Sequence, residues 1–348
     1  MLLEVLSRYA RATGKDSLWV STQHAKLSRA GKRAVWRPVE SVVTLPRRLR
    51  LPRPIDARNG ASATTVDAYW GSHTIWQGPF LSKAASLRYI EELTDGRPLK
   101  RRLAGLHGPH VSKVVLDYGC GPGNDLAGFA EFSGAREIIG VDISRRALDM
   151  ARARVSWHAK PGTKFRFIQV ADSRVSLPIE TGYVDYIQSL GVLMCTSDCV
   201  QILTELARVL KPAGEIRIML YNADSVHVQL TVGYEWRLRN GQRPDLTPEQ
   251  LFEQTADLGA PTMVATRPPQ VAAWCEQAGL RSEFLGGYFV PGEIEACRRL
   301  LEEARREPRL TVPQRAFVDG LSFDQEGYPI YRGLPAGLSA MYRLTHTS

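Results

Sequence analysis

The chain has 348 residues, 44% of them hydrophobic, with a formal net charge of +9. That size and apolar content suit one large α/β core with additions, and exclude a chain that needs disulfide or metal staples to fold. Five scattered cysteines (Cys120, Cys195, Cys199, Cys275, Cys297) form no CxxC pair, which argues against a zinc or redox centre and for a reducing, cytoplasmic setting. The start lacks a basic leader and no run approaches the roughly 20 apolar residues of a membrane span, so the expectation is a protein neither secreted nor membrane-spanning.

Residues 1–60 hold 13 Lys and Arg against 4 Asp and Glu, so the whole excess of positive charge sits there. The stretch Leu45-Pro46-Arg47-Arg48-Leu49-Arg50-Leu51-Pro52-Arg53-Pro54 reads as a solvated linker, or as an arm for an acidic surface such as nucleic acid or lipid. A boundary is expected near Ala61. Residues 61–112 then form a helical lid: Tyr69-Trp70-Gly71-Ser72-His73-Thr74-Ile75-Trp76 leads into a helical pattern through Leu81, Ala84, Leu87 and Ile90. From residue 113 to 348 short β-rich runs (114–117, 137–141, 165–170, 184–189, 215–221) alternate with helical ones (124–132, 144–155, 198–210). Such alternation means crossover connections, a parallel sheet and a doubly wound α/β fold. A helix over 268–279, a strand over 281–290, an Arg-rich helix over 293–306 and a last strand over 338–345 follow. Residues 222–261 show no clear period. The less regular stretches 222–262 and 291–337 are expected to be insertions that build an acceptor pocket.

The motif lies at the end of the first strand, in Asp117-Tyr118-Gly119-Cys120-Gly121-Pro122-Gly123. Glycines there allow backbone of positive φ and bare approach to a ligand, and the helix that opens at Asn124 offers unpaired N–H groups. A dinucleotide fingerprint would place its third glycine at 124 instead. Gly140-Val141-Asp142-Ile143-Ser144 puts a carboxylate at the next strand end, 19 residues past Gly123, where it can accept both ribose hydroxyls. Val170-Ala171-Asp172-Ser173 presents another at the third, suited to an adenine amino group. Each acid taken singly could be a helix cap; as an ordered set they point to an adenosine-containing ligand.

The stretch 114–221 resembles the class I methyltransferase core, especially the branch that includes ubiquinone and menaquinone biosynthesis and small-molecule methyltransferases. The matching runs are Val115-Leu116-Asp117-Tyr118-Gly119-Cys120-Gly121-Pro122-Gly123, Gly140 to Ser144, Val184-Asp185-Tyr186-Ile187-Gln188-Ser189-Leu190-Gly191-Val192-Leu193 and Arg208-Val209-Leu210-Lys211-Pro212-Ala213-Gly214-Glu215. The resemblance implies a mostly parallel, seven-stranded, Rossmann-like sheet and S-adenosylmethionine as methyl donor, leaving S-adenosylhomocysteine, with no metal. It implies that Asp117, Gly119, Cys120, Gly121 and Gly123 pack under the cofactor. Asp142 and Ile143 would face the ribose, Asp172 and Ser173 the adenine, and Ser189, Leu190 and Gly191 the methionine part. Lys211 to Gly214 resembles the turn into strand five. Where many relatives have a His pair after Leu193, this chain has Met194-Cys195.

A hydroxyl acceptor calls for a general base. Asp224 and His227, three apart, share a face if their segment is helical, and a carboxylate that orients a histidine is one such arrangement; the alternative is an Asp cap and an exposed His. His73, among the lid aromatics, is the second candidate. Arg88 could pair with the cofactor carboxylate, or be a surface helix Arg. The leading expectation is O-methylation of a small-molecule acceptor, in glycan or secondary-metabolite chemistry. The rival readings are an RNA or protein methyltransferase using the basic arm, and a non-catalytic cofactor-binding module. Against the first, Gln188-Ser189-Leu190-Gly191 stands where many base N-methyltransferases have Asn-Pro-Pro-aromatic. The second predicts a damaged motif, and this one is intact. Because the motif starts beyond the arm, deletion of residues 1–60 should leave S-adenosylhomocysteine affinity unchanged by calorimetry; a truncated protein that loses the ligand would make the arm part of the core.

Overall fold

The computed structural model describes residues 65–73, 80, 82–172, 175–256 and 260–347. The basic arm, the boundary near Ala61, lid residues Thr74, Ile75, Trp76 and Leu81, and Ser173 lie outside the described residues.

The strands are β1 (Val114–Tyr118), β2 (Glu137–Asp142), β3 (Lys164–Gln169), β4 (Val184–Leu190), β5 (Leu210–Asn222), β6 (Ala265–Thr266), β7 (Leu280–Tyr288), β8 (Ser322–Phe323), β9 (Pro329–Tyr331), β10 (Leu334–Pro335) and β11 (Ser339–His346). The main sheet runs β3-β2-β1-β4-β5-β11-β7, with β6 paired to the end of β5, and β8 to β10 form a small separate sheet. Pairs among β1 to β5 are parallel, while β11 runs antiparallel to both β5 and β7. The expected mostly parallel, doubly wound sheet is therefore present, seven strands wide along its path.

The helices are α1 (Val66–Ser72), α2 (Lys83–Asp95), α3 (Lys100–Ala104), α4 (Asn124–Gly128), α5 (Arg145–Val155), α6 (Cys199–Val209), α7 (Pro248–Thr255), α8 (Pro268–Gln277), α9 (Glu293–Arg305) and α10 (Val312–Gly320). Their starts follow from local chemistry. Ser144 caps α5 by accepting from Ala147 N, and Asp198 caps α6 by accepting from Gln201 N at 2.9 Å. β1 and β2 are buried throughout because both sheet faces are covered. Val114, Leu116 and Ile187 face a core shared with α6, while Val115, Leu126, Phe129, Leu148 and Ala151 fill the other side.

Three elements depart from the expected ones. The stretch beyond β5 is not a loop: His227–Arg239 is a 13-residue π-helical segment, followed by α7. Its Val228, Gln229, Leu230, Val232, Gly233, Tyr234, Arg237 and Leu238 are all buried. A segment wound i→i+5 and covered on most sides shows no one-sided stripe of helical period. The helix expected over 124–132 is α-helical only to Gly128 and continues as a π turn, Phe129–Ser133. The turn at 211–214 lies inside β5 as a bulge, since Val184 pairs with Leu210 but Tyr186 with Glu215.

The two insertions pack on each other. Val226, Leu230, Tyr234 and Leu238 join Cys297, Leu300, Leu301, Phe317, Val318 and Leu321 in a second core. One carboxylate pins this layer to the sheet. Glu293, buried at the start of α9, accepts from the backbone N–H groups of His227 at 3.1 Å, Val290 at 3.0 Å and Leu338 at 3.2 Å. Burial pushes its pKa up to about 8, against those three bonds, which favour the charged form. Glu293→Ala would strand three N–H groups away from water and should cost about 3 kcal/mol or more in urea unfolding. Glu293→Gln, which keeps one acceptor oxygen, should cost less. Equal, small losses in both variants would show that water replaces the carboxylate.

Candidate active site

Strand order reverses between β1 and β4, so a crevice opens at their carboxyl ends, where doubly wound sheets bind ligands. The glycine turn is built there from three separate constraints. Gly119 has φ +76, and a Cβ on it would lie 2.2 Å from Val192 Cγ2. Gly123 has φ +84, and a Cβ on it would lie 2.9 Å from Ala151 of α5. Gly121, at φ +52, would point a Cβ into open space. The outer two are thus tight packing points and the middle one a bare surface. The turn is stitched to β2: Val141 O accepts from Gly119 N at 2.8 Å and Cys120 N at 2.9 Å, and Asp142 Oδ2 accepts from Gly121 N at 2.8 Å. The other Asp142 oxygen accepts from Ser144 N at 2.8 Å. Each oxygen keeps a lone pair for a ligand hydroxyl. Burial raises the Asp142 pKa, offset by these N–H bonds.

Asp117 is buried, and its nearest charges are the carboxylates of Asp125 and Asp142; burial first, then this like charge, lifts its pKa well above the carboxylate range. A cation brought beside it would favour the charged form. Gln188, the β4 partner of Asp117, is fully buried, and neither its amide oxygen nor its nitrogen has a partner among the described residues. The same is true of the Ser189 hydroxyl. Leu190, Gly191 (φ +78) and Ile143 sit half-buried at the rim, and Cys120 is buried with its thiol pKa pushed up. Asp172 lies at the same edge. Its carboxylate accepts from Ser197 N at 3.1 Å, and its own N–H donates to Asp67 of α1 at 2.8 Å. Open backbone, a partly free carboxylate, a buried carboxylate among like charges and orphaned polar atoms together fit a nucleoside carrying an ammonium group. Among the described residues, no group of three or more His, Cys, Asp or Glu could hold a metal ion, and no helix is long and apolar enough to cross a membrane.

The acceptor-side expectations fare differently. Asp224 and His227 do not pair. Arg267 donates to Asp224 at 2.8 Å and to Glu249 at 2.5 Å, so this carboxylate is held by a guanidinium. His227 instead lies edge-on to Trp236 and Phe252, with ring centroids 6.0 and 5.8 Å away, and burial pulls its pKa down to about 4. Asp224 lies in the bend between β5 and the π-helical segment, outside any helix, so the helical spacing on which the pairing rested is absent. Arg88 is exposed on α2, whose buried side carries Ser86, Ile90 and Thr94; two residues from Ser86 places it on the outer face. His73 closes α1 and stacks on Tyr69 at 4.2 Å. Its Nδ1 is 2.8 Å from Tyr69 O, and a carbonyl only accepts, so the proton sits on Nδ1 and Nε2 carries the lone pair. Sequence reading passed over Asp67, Val192, Gln188 and Arg154. Each touches the site through contacts dozens of residues away in the chain or across the sheet, for which no local spacing exists.

Residues 115–214 match a family described as Methyltransferase domain. A 37.1 kDa protein in transposon TN4556 of Streptomyces fradiae is 35% identical over 132 residues, 37% of this chain and 36% of that one. The N-demethylindolmycin N-methyltransferase of Streptomyces griseus is 35% identical over 134 residues, covering 38% and 51%. The Ubiquinone biosynthesis O-methyltransferase of Thiobacillus denitrificans is 26% identical over 199 residues, covering 57% and 77%. The chain spans about half or less of the length of the first two. A solved S-adenosylmethionine dependent methyltransferase from Mesorhizobium loti aligns at 14% identity with a TM-score of 0.42, over 72% of this chain and 99% of that one, too distant a likeness to bear on activity. The matched stretch, residues 115–214, runs from β1 into β5 and is similar to methyltransferase domains.

The buried imidazole has a measurable consequence. An unfolded chain binds a proton on His227 below about pH 6.5, whereas the folded protein refuses it until about 4. Stability is therefore full above 6.5 and falls as pH drops toward 4, by up to about 2 kcal/mol between pH 7 and 5 for this residue. His227→Phe should shrink the difference between urea midpoints at pH 7 and pH 5; an undiminished difference would mean that His110, also held near 4 by burial, or the carboxylates carry it.

Proposed function

We propose that the protein transfers the methyl group of S-adenosylmethionine to an oxygen of a small-molecule acceptor. The observation that carries this reading is the glycine turn with open space over Gly121, stitched to Asp142 and lying beside a buried Asp117 whose neighbours are acidic. The methyltransferase-domain match over residues 115–214 supports it, and relatives named for ubiquinone biosynthesis and for N-demethylindolmycin favour a small molecule as acceptor.

The cofactor supplies an electrophilic methyl on a sulfonium, open to in-line displacement. What this chain's residues do is bind, align and keep water away. Asp142 accepts the ribose hydroxyls with its remaining lone pairs, and Asp172 accepts from the adenine amino group beside Ile143. Asp117 acquires its counter-charge from the ammonium of the methionine part, and Gln188 and Ser189 to Gly191 line the space beside it. Such positioning is worth as much as about 7–11 kcal/mol when the nucleophile is held in line. The acceptor is held beyond the ends of β4 and β5, between α1 and the π-helical segment. Met194 and Cys195, both buried, offer no base: a thioether does not titrate and a buried thiol is held protonated. Of the histidines, His73 presents an available Nε2, whereas His227, with a pKa near 4, is a weak acceptor of protons at neutral pH.

Titration calorimetry should show S-adenosylhomocysteine binding without metal, and no NAD binding. Asp142→Asn, which loses the charge behind two hydrogen bonds of about 1.5–3 kcal/mol each, should weaken that binding at least tenfold. Unchanged affinity removes Asp142 from the ribose role; tight NAD binding without the sulfur nucleotide ends the reading. With an acceptor in hand, His73→Ala should lower kcat about 10²-fold or more with cofactor affinity kept, and full activity would leave positioning alone to act.

A further inference from the structure

A buried polar hub joins α2 to the nucleotide side of the domain, and nothing in the mechanism above uses it. Ser86 is wholly buried on α2, and His158 and Arg154 are nearly so, at 1% and 5% exposed. Arg154 Nε donates to Ser86 Oγ at 2.9 Å, and His158 Nε2 lies 2.9 Å from the same oxygen. Glu131 Oε2 is 3.1 Å from His158 Nδ1. A carboxylate accepts, so the proton sits on Nδ1, and Nε2 accepts the Ser86 hydroxyl proton. Lys83 of α2 reaches the same Glu131 oxygen at 2.7 Å. The other Arg154 donors go to the Ser86 carbonyl at 3.3 Å and to Asn124 Oδ1. Asn124 follows Gly123 directly and opens α4. One guanidinium on α5 thus grips both α2 and the residue that ends the glycine turn. α1 meets the opposite side of the same rim, through Asp67 and Asp172.

We propose that Arg154, oriented by Ser86, His158 and Glu131, is a positioning residue for the cofactor: it clamps α2 to the start of α4, holds the glycine turn in its binding geometry and slows escape of the bound nucleotide. The inference rests on the S-adenosylmethionine reading above. Arginine suits the task because its planar fork reaches two elements at fixed angles, which a lysine ammonium does not. Burial lowers its pKa only to about 10, so it stays cationic at neutral pH. Burying a charge is costly unless its donors are all used, and a surface link between α2 and α5 would need no such residue.

The test is S-adenosylhomocysteine binding to the full chain, by calorimetry and by displacement kinetics, in the unaltered protein, Ser86→Ala and Glu131→Gln. Ser86→Ala should raise Kd about tenfold or more, chiefly through faster dissociation. Glu131→Gln, at the partly exposed edge of the hub, should shift it about threefold by freeing the His158 tautomer. A network that only stabilises the fold would lower the melting temperature and leave the dissociation rate of the folded protein unchanged, and that result overturns the proposal. Should Ser86→Ala fail to fold, an unchanged dissociation rate in Glu131→Gln overturns it and a faster one supports it. An unaltered protein that binds no S-adenosylhomocysteine removes the underlying reading, and this inference with it.

Discussion

The structure depends on the seam between the end of β1 and the end of β2. Three consecutive backbone N–H groups of the turn, from Gly119, Cys120 and Gly121, are bonded to Val141 O and to the Asp142 carboxylate. A turn that spends its donors sideways on the neighbouring strand must run at positive φ, and a side chain at Gly119 or Gly123 would collide with Val192 or Ala151. The same geometry fixes where Asp142 points and leaves Gly121 bare. Binding surface and sheet register are therefore one constraint: moving β2 by a residue against β1 would lose the acid, the turn and the space above it together.

Around that seam the molecule repeatedly buries charge and satisfies it with backbone or a single partner. Glu293 ties three N–H groups of the insertion layer, Arg154 spans two helices, and Asp224 and Glu249 share Arg267. Removal of Glu293 or of Arg154 would strand buried partners away from water, whereas Arg267, Asp224 and Glu249 keep access to it. Asp117 is the exception, a carboxylate set among carboxylates.

The segments beyond β5 and β7 fold on each other. The π-helical segment has no independent apolar stripe; it is buried by α7 on one side and by α9 and α10 on another. His227 consequently lands between Trp236 and Phe252, in surroundings that hold the imidazole neutral. Acceptor recognition is expected to draw on this layer, whose shape depends on packing and not on any one motif.

By itself the sequence determined the parallel core, because strands covered on both faces are apolar throughout and their helices carry a 3.6-residue stripe with legible caps at Ser144 and Asp198. It also placed Gly119 to Gly123, Asp142 and Asp172 at the ends of their strands, since those positions follow from local pattern. The acceptor side was decided only by tertiary structure. Asp224 and His227 stand three apart in the chain, yet Asp224 lies in the bend before the π-helical segment, where Arg267, 43 residues away, takes the carboxylate, while the imidazole packs on Trp236 and Phe252. Arg88 has the right charge but the wrong face, while Arg154 reaches Ser86 across 68 residues. Local spacing encodes which way a residue points from its own element; which distant element meets it there is set by how the layers pack.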